Sequence, residues 1–210
     1  MTEQTDRVFS DAEHQRVADA IRAVENETTG EIVTVVARAC EPYSIIAGLW
    51  SVLAGLAAGV IAVPLWPEVP AVYLVAGQIG VSLIVAGLLQ YMPLRMTLVP
   101  KAVRHRRAHR MARTQFLEQG LHRTEGRTGI LIFAAMAEHY VEIIADEGIN
   151  DRVDPGVWES VVSDFTADMK RGKVIDAFVG AVTACGDVLK IHAPKVPGNV
   201  SELPDRLIEI

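Results

Sequence analysis

Two long apolar runs, separated by a proline-rich turn, dominate the first half of this 210-residue chain. The first run, Ile45 to Val63, has nineteen consecutive residues without a charge, and the second, Ala71 to Met92, is interrupted only by two Gln and one Ser. As a helix, the first run would rise about 28 Å, close to the hydrocarbon thickness of a bilayer. The turn PLWPEVP contains three prolines, which prevent one continuous helix.

The alternative is a pair of buried core helices in a soluble protein, but two such runs in tandem around a tight turn do not favour it. The sequence therefore predicts a two-helix transmembrane hairpin at residues 44–93. Aromatic residues stand near its predicted ends, Tyr43 and Tyr91 at one interface and Trp66 and Tyr73 at the other, as is typical of residues at headgroup depth.

Small residues recur at four-residue spacing in both runs: Ser51, Gly55 and Gly59 in the first, Ala76 and Gly80 in the second. Such faces let helices approach closely. They indicate packing of the hairpin on itself or on another subunit, which leaves a homo-oligomer open.

The charge of the chain is concentrated in one basic block directly after the second run. The net charge is −6, but residues 94–114 carry +7 and no acid, so the remainder sums to −13. The turn has no Lys or Arg and one Glu, so the positive-inside rule predicts both termini in the cytoplasm. The block consists of Arg95, Lys101, Arg104, Arg106, Arg107, Arg110 and Arg113.

Within this block, Arg104, Arg106, Arg107 and Arg110 are predicted to face anionic lipid headgroups, each cation near the surface contributing about 1 kcal/mol. The alternative partners are an acidic protein or nucleic acid. No aromatic residue interleaves with the arginines to stack on bases, so no nucleic-acid partner is expected.

The residues outside the hairpin are enough for one core, and they are predicted to form the elements of a small α/β sandwich. Ser10 and Glu13 form a capping box before a helix, and Glu31 to Ala39 is a buried strand. After the hairpin come a helix at 102–121 and strands at 129–136 and 140–146, which a three-residue connection should pair antiparallel. Two further helices follow, one capped by Asp154 with Pro155 at its first position and one at 174–192.

The predicted domain organisation is residues 1–43 as the first part of the domain and 44–93 as the hairpin. Residues 94–194 are the second part, and 195–210 are a Pro-rich tail in an extended or loosely packed conformation.

Three stretches of the predicted domain resemble the TPM domain family: TGEIVTVV (29–36), RTGILIFAAMAEHYVEIIADEGI (127–149) and the helical region from Pro155 to Leu189. The resemblance implies a three-layer α/β/α sandwich with a mixed sheet, here interrupted by the transmembrane hairpin and placed at a bacterial inner membrane. Some members of the family are described as divalent-metal-binding acid phosphatases, and others as assembly or modulatory factors. In this chain the hairpin lies inside the domain, and the domain is expected in the cytoplasm. Resting cytosolic calcium is low, which argues against a calcium-dependent role.

The established catalytic motifs are absent from the sequence, including the phosphate-binding loop, the G-x-S-x-G elbow and H-E-x-x-H. Neither Cys40 nor Cys185 is placed as a nucleophile, and two cysteines are too few for a disulfide framework. His105 and His109 are four residues apart, a spacing at which two histidines on a helix can bind one metal ion, but the positive charge of the surrounding arginines disfavours binding of a metal cation.

The best candidate site is the acidic loop after the third strand. Asp146, Glu147 and Asp151 are candidate ligands for Mg²⁺ or Ca²⁺, and Arg127 and Thr128, at the start of the neighbouring strand, are candidate phosphate-binding residues. The alternative is a structured turn, in which Asp146 or Asp151 accepts turn amides, Asp154 caps a helix and Gly148 has a positive φ. An Arg127–Asp146 ion pair would explain the same proximity.

Two functions are therefore predicted. The first is a membrane-anchored cytoplasmic module for interaction, assembly or modulation of a protein partner. The second is a weak metal-dependent phosphatase. The sequence names no substrate and no partner.

Overall fold

The computed structural model describes residues 8–198 and 202–210. The described chain forms eight α-helices, two short 3-10 helices and four strands. In chain order these are α1 (Asp11–Glu25), β1 (Glu31–Ala37), α2 (Ser44–Leu65), α3 (Ala71–Leu88), α4 (Met92–Thr97), α5 (Lys101–Glu118), the 3-10 turns Leu121–Arg123 and Glu125–Arg127, β2 (Gly129–Ala135), β3 (Tyr140–Ala145), α6 (Glu147–Asn150), α7 (Pro155–Lys170), α8 (Val174–His192) and β4 (Leu207–Glu209).

The chain divides into two compact units. One contains the described residues up to Cys40 together with those from Arg106 onward, and the other contains Glu41–His105. We call the first the α/β domain and the second the apolar hairpin.

The sheet of the α/β domain is mixed and has the strand order β3-β2-β1-β4. The two central strands are parallel, with Glu31 opposite Gly129 and Ala37 opposite Ala135, and β4 is parallel to the other side of β1. The β2–β3 pair is antiparallel, as the short connection predicts, with Ile130 opposite Ala145. The mixed sheet implied by the family resemblance is confirmed.

Alternate residues of the buried strands face two different cores, because strand side chains alternate with period two. Ile32, Val36, Ile130 and Ile132 face a large core shared with α1, α7 and α8. Within it the rings of Phe165 and Phe178 meet edge to face at 5.1 Å.

The opposite residues of the same strands, such as Val35 and Phe133, face a smaller core that includes Ala108 and Ala112 of α5. Helices therefore cover both faces of the sheet, in a three-layer α/β/α arrangement.

The local signals at the helix ends act as the sequence predicts. Ser10 and Glu13 form the capping box of α1. Asp154 accepts a hydrogen bond from the Gly156 amide at 2.8 Å and so caps α7. Gly172, with φ of 75°, ends the same helix.

The apolar hairpin contains two helices that are long and apolar enough to cross a membrane. Of the 22 residues of α2 only Ala47, Ser51 and Gly55 are buried, and none of α3 is. A core helix of a soluble protein would be mostly buried, so these helices present apolar side chains outward over nearly their whole length.

The small residues of α2 pack against α3, so this stripe contributes to packing within the hairpin. A Cβ on Gly55 would lie 2.9 Å from the Gln78 carbonyl, and one on Gly59 would lie 2.8 Å from the Gln78 side-chain oxygen. A Cβ on Gly80 would meet nothing within 4 Å. The α2 stripe therefore closes the hairpin on itself.

The tail differs from the expectation of an extended or loosely packed segment. Residues 207–209 form β4, and Leu207 is buried in the large core. The sequence signal is weak because the strand is only three residues long and follows a proline-containing stretch.

Candidate functional site

The acidic loop lies at the end of β3 and leads directly into the short helix α6. Because β2 and β3 are antiparallel, the start of β2 lies beside the end of β3, and the Asp146 amide donates to the Gly129 carbonyl at 2.9 Å. The structure thus brings Arg127 and Asp146 together, as the sequence predicts.

Arg127 binds two of the acids of the loop, Asp146 and Glu147. Its Nη2 and Nε donate to the two carboxylate oxygens of Asp146 at 2.8 and 3.1 Å, and its Nη1 donates to Glu147 at 2.8 Å. A forked pair of this kind is among the stronger hydrogen-bonded arrangements. The Asp146 hydrogen bond and charge raise the pKa of the Arg127 guanidinium.

Asp146 also caps α6, because its Oδ1 accepts from the Glu147 amide at 2.8 Å. Only 4% of Asp146 is exposed. Both of its oxygens therefore accept hydrogen bonds from within the protein. This arrangement agrees with the alternative that the loop is a structured turn.

Backbone geometry around Arg127 supports this arrangement. Arg127 has φ of 54° and Gly126 φ of 77°, both in the left-handed region. Gly148, in contrast, has no positive φ, so that expectation is wrong. The reason for glycine there is close approach, since a Cβ would lie 2.2 Å from the Gly126 carbonyl oxygen.

Thr128 and Asp151 form hydrogen bonds with other backbone groups. Thr128 is buried, and its hydroxyl donates to the Thr29 carbonyl at 3.4 Å. The exposed Asp151 follows the last residue of α6, and its amide donates to the Glu147 carbonyl at 3.2 Å.

The loop as it stands does not fit a divalent cation. Over the residues that the structure describes, no group of three or more His, Cys, Asp or Glu side chains could hold a metal ion. Two of the three predicted ligands, Asp146 and Glu147, are bound to a guanidinium whose charge repels a cation.

The histidines of α5 and the neighbouring Tyr140 are further candidate chemical groups, and His109 and Tyr140 both contact Glu142. His109 Nδ1 lies 2.8 Å from a Glu142 oxygen, and the Tyr140 hydroxyl donates to the same carboxylate at 3.0 Å. Burial, together with Glu142, raises the pKa of Tyr140. Partial burial, and after it the charges of Lys101 and Arg104, lower the pKa of His105.

The cysteines are not placed for nucleophilic chemistry. Cys185 is completely buried, and this burial raises the pKa of its thiol to about 12. Its thiolate, the reactive form, is therefore scarce at neutral pH. Cys40 is also buried, and its amide donates to Glu138 at 2.9 Å.

The basic block is not uniform, and one of its members has a contact set that sequence reasoning missed. Arg95 is buried, and its Nε donates to the Leu89 carbonyl at 2.8 Å. Its other nitrogens donate to the carbonyls of Pro42 and Gln90. Arg95 thus joins the residues just before α2 to the end of α3.

The remaining arginines of the block lie on α5. Arg106, Arg110 and Arg113 are exposed, and Arg104 and Arg107 are partly buried. The exposed members are therefore available to an anionic surface.

These observations define a class: an α/β/α domain with a mixed four-stranded sheet, two long apolar helices between its first two strands, and an arginine-bridged acidic loop. Residues 92–188 match the family model described as TPM domain, which confirms the recognition made from the sequence. A comparison with curated proteins gave no match.

A similar solved structure is the NMR structure of the BA42 protein from the psychrophilic bacterium Bizionia argentinensis. The two chains are 17% identical, the alignment covers 99% of each, and the TM-score is 0.62. At this identity the likeness concerns the fold.

Proposed function

We propose that this protein is anchored in a bacterial inner membrane by the apolar hairpin, with both termini in the cytoplasm. Its TPM domain, built from residues 1–43 and 94–194, acts there as a module for interaction, assembly or modulation of a protein partner. The membrane-spanning part of the apolar hairpin is residues 44–93, and β4 completes the domain at the sheet edge.

The outward apolar surface of the hairpin carries the anchoring part of the proposal. Ile45, Val60 and Leu83 are 85%, 75% and 68% exposed. Exposing such side chains to water along two helices costs free energy, at roughly 25 cal/mol per Å² of apolar surface. A bilayer removes this cost, and the basic segment after α3 favours the cytoplasmic side for the termini.

The arginine-bridged loop supports the interaction role over catalysis. A phosphatase would use Asp146, Glu147 and Asp151 to bind Mg²⁺ or Ca²⁺. Arg127 would have to release Asp146 and Glu147 before the metal could bind. The Arg127 fork would then be free for a phosphoryl group, with Thr128 beside it. This remains the competing function, and no contact in the loop favours it.

Topology is tested by cysteine labelling in intact cells with a membrane-impermeant maleimide. The native cysteines are buried, so the Glu68→Cys variant reports on the turn between α2 and α3. We expect Glu68→Cys to react from outside the cell and the control Asp187→Cys to react only after lysis. The reverse pattern contradicts the proposed orientation.

Catalysis is tested by adding Mg²⁺, Mn²⁺ or Ca²⁺ to the detergent-solubilised protein. We expect no rise in melting temperature and no turnover of p-nitrophenyl phosphate, in the wild type or in Asp146→Asn. A metal-induced rise that is lost in Asp146→Asn, accompanied by turnover, would establish the phosphatase instead.

The interaction role is tested by cross-linking in native membranes followed by mass spectrometry. We expect reproducible cross-links from the TPM domain to another protein or to a second copy. A domain that gives only internal cross-links contradicts the interaction role but leaves the membrane anchor intact.

A further inference from the structure

Three carboxyl groups from three separate segments converge where α1 ends and β1 begins. Glu25 is the last residue of α1, Glu31 is the first of β1, and Asp205 lies in the segment that leads to β4. Glu25 and Glu31 are 6% and 2% exposed. This carboxyl cluster lies within the α/β domain and outside the acidic loop described above.

The cluster holds the C-terminal segment through direct hydrogen bonds. The two Glu31 oxygens accept from the amides of Glu202 and Leu203, at 2.9 and 3.2 Å. Glu25 accepts from the Ile32 amide at 3.1 Å, and its carboxyl is also hydrogen-bonded to that of Asp205. A hydrogen bond between two carboxyl groups requires that one of them keeps its proton.

The cations near the cluster have contacts of their own. Arg22 of α1 lies 3.9 Å from Asp205 and binds Asp19 at 2.7 Å. Lys195 donates to the backbone carbonyl of Glu25 at 2.8 Å. Lys190 of α8 pairs with Glu27 at 2.8 Å, and on β4 Glu209 pairs with His14 of α1.

These surroundings favour the protonated form of Glu25. Burial, and to a lesser extent Glu31 and Asp205, raises the pKa of Glu25 from its ordinary value of 4.5 to about 8, although the Ile32 amide acts in the opposite direction. Glu25 in this cluster therefore binds a proton more strongly than an ordinary glutamate.

The segment fixed in this way ends in the shortest strand of the sheet. β4 adds to the edge of β1, with the Ile210 amide donating to the Val36 carbonyl at 3.0 Å and the Arg38 amide to Ile210 at 2.9 Å. A strand of three residues has few sheet hydrogen bonds, so its local opening costs little free energy.

We propose that Glu25 and Asp205 form a pH-sensitive latch, in which a shared proton holds the segment 202–210 and its strand β4 against the edge of β1. Opening of the segment separates Asp205 from Glu25 and uncovers the β1 edge between Thr34 and Val36.

The sign of the pH dependence follows from the proton affinity of Glu25. Its pKa is raised in the closed state and returns toward 4.5 when the segment opens and water reaches the carboxyl. The contribution to closure is therefore complete below about pH 4.5 and is lost as the pH rises toward 8. Between these limits, one linked proton increases the opening constant by up to about tenfold per pH unit.

Amide hydrogen exchange of the full chain in detergent, measured from pH 6 to 9 and corrected for the intrinsic exchange rate, tests the latch. The protection of residues 207–210 is compared with that of Ile130 to Ala134 in β2, which reports on global unfolding. We expect the ratio of the two to fall as the pH rises from 6 to 8, by up to about tenfold per unit. A ratio that is constant over this range overturns the proposal.

Glu25→Gln keeps a hydrogen-bonding group but cannot titrate, so we expect its protection ratio to depend less steeply on pH than that of the wild type; the His14–Glu209 pair is unchanged in both. If Glu25→Gln does not fold, Asp205→Asn tests the other side of the same contact and should weaken the pH dependence. Glu27→Gln, on an exposed neighbouring acid, is the control and should keep the wild-type slope. An unchanged slope in Glu25→Gln, or in Asp205→Asn if only that variant folds, would refute the latch.

Discussion

At the scale of single residues, Gly148 and Gly180 show why two glycines in helices have opposite roles. A Cβ on Gly148 would lie 2.2 and 2.6 Å from the carbonyl oxygens of Gly126 and Arg127, which are backbone atoms. A Cβ on Gly180 in α8 would meet nothing within 4 Å. Position 148 has no room for a side chain. Position 180 has room, and glycine there only lowers the helix propensity of α8.

We therefore expect Gly148→Ala to lower the free energy of unfolding by about 1–3 kcal/mol, since the backbone must move to relieve the overlap. Gly180→Ala should raise it by about 0.5–1 kcal/mol. Denaturant unfolding followed by circular dichroism measures both. Equal effects of the two substitutions would contradict the close approach at Gly148.

Arg127 is the second residue whose role is open to a direct test. Removing its side chain leaves the buried Asp146 with one amide donor and no cation, and an unsatisfied buried polar group costs about 1–3 kcal/mol. We expect Arg127→Ala to lower stability by about this amount, and Arg127→Ala combined with Asp146→Asn to lose less than the sum of the single variants. Additive losses in thermal unfolding would mean that the pair is not coupled.

At the scale of elements, Arg95 connects the two ends of the apolar hairpin. Its guanidinium donates to carbonyls on both sides, Pro42 before α2 and Leu89 and Gln90 after α3. These carbonyls include groups that a helix end leaves without an intrahelical partner. A single ammonium cannot reproduce the spread of a guanidinium.

We expect Arg95→Ala to destabilise the protein in detergent by about 1.5–3 kcal/mol, the range for hydrogen bonds to charged groups. Arg95→Lys should restore only part of this loss, although the net charge is unchanged. Lys101→Ala, at the exposed start of α5, serves as the control. Full recovery in Arg95→Lys, measured by melting temperature, would show that only the charge matters.

The elements differ in how far sequence alone determines them. The α1 capping box, Asp154 with Pro155 and the β2–β3 connection are local signals, and they place their helices and strands correctly. β4 depends on a partner strand more than 160 residues earlier, since Leu207 pairs with Thr34. Its three residues carry no pattern of their own, so the sequence could not reveal it.

Part of the candidate site could also be predicted from the sequence, and part could not. The proximity of Arg127 to Asp146 follows from antiparallel pairing and could be predicted. Arg127 also binds Glu147, and it has a left-handed backbone conformation that a non-glycine residue rarely adopts; neither feature is marked in the sequence. The carboxyl cluster of Glu25, Glu31 and Asp205 joins three distant segments, so no spacing in the sequence marks it.

At the scale of the whole molecule, the proposed anchor would hold the basic helix α5 near the membrane surface, and its attraction to anionic lipid can be tested. Arg106, Arg110 and Arg113 are exposed on α5, and each cation near an anionic surface contributes about 1 kcal/mol. Such contacts weaken with salt, because the Debye length falls from about 10 Å at 0.1 M to about 3 Å at 1 M.

We expect a fluorophore on Thr114→Cys to be quenched by spin-labelled headgroups more strongly in anionic phosphatidylglycerol nanodiscs than in neutral phosphatidylcholine nanodiscs. The difference should disappear in 1 M salt and after reversal of Arg106, Arg110 and Arg113 to Glu. Reversal of Arg152 and Arg171, on the opposite face of the sheet from α5, is the control and should leave it unchanged. Equal quenching in the two lipids would show that the exposed arginines do not contact the headgroups, and would contradict the proposed role of the basic helix.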